Sequence, residues 1–153
     1  MEILGRKGLS GIVKCFLDLI FLGGIGIFVS LPWSLAWCFK NVVQIGDGYY
    51  IFLLILLYIT GFFGLVIVYE MRKIFNNLND KSPFVMSTVK SLNRMALSSF
   101  IISVGYGVKI VVLNSFFTMI IMMVFVMAGF FSLILAEVFR QAVLVKEEND
   151  LTV

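Results

Sequence analysis

The chain has 153 residues, of which 61% are hydrophobic and 14% charged, with a formal net charge of +3. Its mean hydropathy of +1.06 leaves almost no residues for a water-soluble domain, since soluble chains are only about 45–50% apolar. Histidine is absent and cysteine occurs twice, which excludes a structural zinc site, a haem site or a His-based triad built from this chain alone.

The first apolar segment covers residues 16–39, with Leu19 to Phe39 free of charge. A hydrocarbon core of about 30 Å needs roughly 20 helical residues at about 1.5 Å each, so this segment is long enough to cross a bilayer. Gly23, Gly24, Gly26 and Ser30 give it a smooth flank for helix packing. Cys15 and Cys38 lie near its opposite ends, about 34 Å apart along a helix, too far for a disulfide between them. The apolar run is longer than a cleavable signal core and Trp37 is bulky before Cys38, so an uncleaved helix is expected. Lys40 to Gly48 then forms a short loop carrying the turn signal Gly46-Asp47-Gly48.

The second span covers residues 49–69. Beyond it Met71, Ile74, Phe75 and Leu78 recur at i, i+3, i+4 and i+7 between Arg72, Lys73, Asn76 and Asn77. That spacing predicts an amphipathic helix leaving the membrane with an apolar stripe to cover. Ser82-Pro83 reads as a cap and first helical residue, opening a helix that leads into the third span. The hairpin over residues 70–94 either packs on its own chain, lies at the lipid interface, or docks another protein.

The third span covers residues 95–113 and is interrupted by Lys109, which is expected to reach the headgroups along its aliphatic stem. A tight turn at Leu113-Asn114-Ser115 precedes the fourth span, residues 116–136. The arm over residues 137–153 keeps Val138, Phe139, Ala142 and Val145 apolar and ends in Glu147, Glu148 and Asp150. It is too short to fold alone and needs the hairpin, the bilayer surface or a partner.

Charge sets the orientation. Ten cations fall on the side of the termini and hairpin (Arg6, Lys7, Lys14, Arg72, Lys73, Lys81, Lys90, Arg94, Arg140 and Lys146), against Lys40 and Lys109 on the other. The positive-inside rule places both termini and the hairpin in the cytoplasm. The expected fold is therefore an all-α polytopic membrane protein, a single domain over 1–153. It has four transmembrane helices, N-in/C-in, with cytoplasmic helical extensions after the second and fourth. Trp33 and Trp37 then anchor the outer interface.

Asp18, Glu70 and Glu137 sit at the inner ends of spans, and Lys14 shares a helical face with Asp18. Together with Arg72, Lys73 and Arg94 the three acids suggest ion pairs that fix the bundle, or a polar site for a partner or headgroup; which pairs form is open. No carboxylate lies near the midplane, where ion-coupled transporters place them. No nucleophile with a base and no nucleotide loop is present, so no enzyme activity and no cofactor are expected.

Two stretches carry a resemblance: Arg72-Lys73-Ile74-Phe75 with Leu78, Ser82-Pro83-Phe84 and Arg94 in the hairpin, and Leu135 to Ala142 with Glu147 to Val153 in the tail. On these the whole chain resembles a bacterial family of small four-pass membrane proteins of unknown function. Members are often encoded beside a small Cro-like helix-turn-helix regulator. Lys81 departs from the shorter, often glycine-bearing approach to the Pro-Phe pair seen there. The resemblance implies a regulator held at the cytoplasmic face, with Met71, Ile74, Phe75, Leu78, Pro83, Phe84, Phe139 and Val143 as the docking residues. Two rivals remain. One is an envelope-stress or bacteriocin-immunity membrane protein acting from the spans or outer face. The other is a small transporter or channel subunit, which requires a homo-oligomer. Direct nucleic-acid binding is not expected, because topology and anionic lipid explain the basic loop.

Overall fold

The computed structural model describes residues 9–41, 47–80 and 84–151. They form four helices: α1 (Leu9–Asn41), α2 (Asp47–Asn79), α3 (Met86–Val112) and α4 (Phe116–Leu151). Each is long and apolar enough to cross a membrane, and no strand occurs among the described residues. This is an all-helical multi-pass membrane protein. With 33 and 36 residues, α2 and α4 are about 50 Å long or more, well beyond a hydrocarbon core of about 30 Å. Both therefore run past their apolar stretches, through Glu70 to Asn79 in α2 and through Glu137 to Leu151 in α4.

The helices alternate in direction and pack as a row: α1 on α2, α2 on α3, and α3 on α4. No α1 Cα comes within 8 Å of a Cα of α3 or α4, so the bundle is open on that side. The basic ends of all four helices, carrying the hairpin and the α4 extension, lie together; the Lys40 and Lys109 ends form the opposite face.

Beside Leu17, Leu56, Val89, Leu92, Ile102 and Val143, the interior is rich in small and hydroxylated residues. The central helix α3 buries Thr88, Ser91, Ala96, Ser98, Ser99 and Ser103, whereas Trp33, Val111 and Phe117 are at least three-quarters exposed. A bilayer explains this inversion. Lipid tails are as apolar as leucine, so burying large aliphatics between helices gains little, while small residues let backbones approach. A Cβ at Gly24 would stand 2.9 Å from Leu65, at Gly61 3.1 Å from Phe28, and at Gly105 3.3 Å from Thr60. Gly23, Gly26 and Gly64 have nothing within 4 Å; of the three flank glycines on α1, Gly24 alone meets α2. The tightest approach is one the sequence reading passed over: at Gly129 a Cβ would lie 2.8 Å from the Phe100 ring.

At the opposite face the Tyr50 hydroxyl donates to the Pro32 carbonyl at 3.3 Å, tying α1 to α2 beside the proline. Lys109, close to the same face, is tied to the neighbouring helix. Its Nζ donates to Thr118 Oγ1 at 3.1 Å, and Thr118 is 2% exposed. The first turn of α4 thus captures the ammonium group, because the tight α3–α4 turn brings a buried hydroxyl within its reach. At the basic end α3 starts at Met86 after Val85, with no side-chain cap. That is later than the Ser82-Pro83 cap predicts, and those two residues lie outside the described ones.

Candidate functional site at the basic end

Four polar contacts organise this end: one on the α1–α2 seam, two on the α2–α3 seam and one within α4. On the α1–α2 seam Arg72 Nε bonds Asp18 Oδ1, and the guanidinium lies 4.7 Å from the centroid of the Phe21 ring, adding a cation–π contact. Lys14 makes no ion pair with Asp18 among the described residues; that carboxylate pairs with Arg72. On the α2–α3 seam Arg94 Nη1 donates to Glu70 Oε1 at 3.0 Å. Two turns further out, Asn77 Nδ2 donates to both Ser87 Oγ and Thr88 Oγ1 at 3.0 Å. These two contacts fix the antiparallel register of α2 and α3. On α4, Glu137 turns back to Arg140 on its own helix at 2.8 Å and accepts from Gln141 at 3.2 Å, so it joins no other helix.

Glu70 is the unusual group. It is 2% exposed, its Oε2 has no hydrogen-bond partner, and the buried Ser91 Oγ also lacks one. Its partner Arg94 is 63% exposed. A buried carboxylate with one bonded oxygen holds the end of a largely open guanidinium. Such an arrangement orients a cation; it supplies no nucleophile–base pair. Among the described residues no group of three or more His, Cys, Asp or Glu side chains could hold a metal ion.

The residues expected to dock a partner divide in two. Ile74, Phe139 and Val143 join an internal cluster with Val89, Leu92, Leu135 and Ala136, through which the α4 extension is packed against the hairpin. Phe84 also meets Phe139, ring centroids 5.7 Å apart, but stays 45% exposed. Met71, Phe75 and Leu78 are half-buried, and Pro83 lies outside the described residues. The Asn77 staple and the Lys109–Thr118 bond were not expected. The pairing of one asparagine with two hydroxyls across a turn leaves no periodic signal.

In the apolar layer, the open row leaves a cavity of about 380 Å³ bordered by Gly24, Thr60, Gly64, Ile102, Tyr106 and Phe125, among others. It opens where α1 and α4 fail to meet.

No curated protein and no solved structure gives a significant match to the chain. The model of a protein family of unknown function (DUF2975) matches residues 30–153, from the middle of α1 through the whole basic platform, and the chain belongs to that family.

Proposed function

We propose that the chain is a non-enzymatic regulatory protein of the bacterial cytoplasmic membrane. It holds a small helix-turn-helix transcription regulator at its basic end, with both termini in the cytoplasm. The observation that carries this reading is the platform itself: α2 and α4 continue beyond their apolar stretches and pack with the start of α3 around Val89, Leu92, Ala136 and Val143. Apolar side chains stay open on its outside, among them Phe84, Met86, Leu144, Val145 and Leu151. The register given by Gly107 against Met122 and Gly129 against Phe100 sets Met86 beside Val143. Residues 144–151 of α4 therefore overhang α3 by about 12 Å. This overhang exposes Glu147 and Glu148, the sign of charge that suits a basic DNA-binding partner. The excess of cations at this end supports its cytoplasmic placement.

The docking face in this reading shifts from Ile74, Phe139 and Val143, which the internal cluster consumes, to Phe84, Met86 and the α4 overhang. The test is capture of the tagged full chain from its own cells after crosslinking. A helix-turn-helix protein recovered with the parent, but lost from Phe84→Asp and Leu144→Asp at unchanged membrane insertion, supports the reading. Equal recovery in both variants, or no such protein with the parent, refutes it.

A further inference from the structure

One face of α3 is built in two parts that the regulator reading does not use. Lys90 and Arg94 are one turn apart on the same side of the helix, and both are exposed. Arg94 gives one hydrogen bond to Glu70. A guanidinium has five N–H donors, so most remain for a ligand, and its side chain is 63% exposed. Glu70 is only 2% exposed, so the anchor cannot swing away. The guanidinium is oriented before any ligand arrives, which lowers the ordering cost of binding. Lys73, three residues past Glu70, lies level with Lys90 in the register set by Glu70–Arg94 and Asn77–Thr88. Neither lysine has an ion-pair partner among the described residues.

Toward the membrane the same face of α3 turns apolar. Leu97 and Val104 follow Arg94 at i+3 and i+10 and are 61% and 66% exposed, with no helix covering them. From Arg94 to Val104 the helix rises about 15 Å, half of a hydrocarbon core of about 30 Å. One leaflet's depth therefore carries fixed cations at its head and open aliphatic side chains along its length.

We propose that this face is a binding site for an anionic phospholipid. Arg94 and Lys90 take the phosphate, Arg94 through paired donors of the kind that match phosphate oxygens. Lys73 adds to the local positive field, and one acyl chain lies along Leu97 and Val104. With three cations against the single Glu70 carboxylate, the site selects a headgroup of net negative charge over a zwitterionic one, whose ammonium the lysines repel. A soluble phosphate lacks the chain that the lower half of the face accepts.

The experiment is native mass spectrometry of the purified full chain, released from micelles containing equal amounts of phosphatidylglycerol and phosphatidylethanolamine. The expected result is retained phosphatidylglycerol in clear excess. Each cation near a membrane surface contributes about 1 kcal/mol, or about five-fold. Lys73→Gln and Lys90→Gln should each lower the excess about five-fold, and the double variant more. Lys14→Gln and Lys146→Gln, at the same end but off this face, should leave it unchanged. Because neither Lys73 nor Lys90 is ion-paired among the described residues, these variants keep the fold, and inorganic phosphate should not displace the lipid. Undiminished phosphatidylglycerol in the double variant overturns the site. So does an equal loss in Lys14→Gln, which would reduce the effect to net charge.

Discussion

Removing either partner of the Glu70–Arg94 pair should have very different consequences, because the structure buries only one of them. Glu70 is 2% exposed and Arg94 63%. Arg94→Ala strips the one bonded oxygen of Glu70 while Oε2 already has no partner, leaving a carboxylate buried between α2 and α3 with nothing to compensate it. Loss of one side of a buried pair costs about 3–5 kcal/mol. Glu70→Gln is milder. The side-chain amide still offers an oxygen to Arg94, and the exposed guanidinium remains hydrated. The loss is the difference between a charge-assisted and a neutral hydrogen bond, about 1 kcal/mol. The double variant Glu70→Gln with Arg94→Gln should recover most of the stability that Arg94→Ala forfeits, because no buried charge is left. The assay is equilibrium unfolding of the purified chain in mixtures of a mild detergent and dodecyl sulfate, followed by helix content. Equal costs for the two single variants, or a greater cost for Glu70→Gln, would refute the reasoning.

The α3–α4 seam makes a second prediction. Three atoms of the Phe100 ring lie within 3.1 Å of the Cβ position at Gly129, and that ring is itself packed edge-on against Phe130. Gly129→Ala should destabilise by about 1–3 kcal/mol through overpacking, measured by the same unfolding assay, whereas Gly64→Ala, with nothing within 4 Å, should be neutral or slightly stabilising. The platform makes a third. Val143 is 3% exposed, so Val143→Asp should detach the α4 extension and expose residues 137–151 to limited proteolysis. Leu144→Asp, on the open side, should leave the cleavage pattern unchanged.

The platform also marks where sequence reasoning stops. The apolar stripe of Met71, Ile74, Phe75 and Leu78 was legible from its spacing, as was the need for something to cover it. Whether a partner or the chain itself does so depends on whether the α4 extension reaches the hairpin. The α3–α4 register decides that. Gly129 was silent for a related reason: a lone glycine in an apolar run gains meaning only when Phe100 of another helix is laid over it. Lys109 was read from its own helix alone; its bond to Thr118, on the next helix, emerges only once the two are packed.

Four apolar helices, and the continuation of α2 and α4 past their apolar stretches, could be read from the residues in order. Hydrophobic length and amphipathic spacing are local properties, and each helix satisfies its own backbone hydrogen bonds regardless of its neighbours. The sequence also held the acidic and basic groups from which any pairing had to be drawn. Helix packing settled that Asp18 takes Arg72 and Glu70 takes Arg94, while Glu137 stays on its own helix. It alone decided that α1 stands apart from α4. Those outcomes depend on the rotation and register of one helix against another. Side chains a single residue apart point about 100° apart around a helix, so a small change in phase would have chosen different partners from the same sequence.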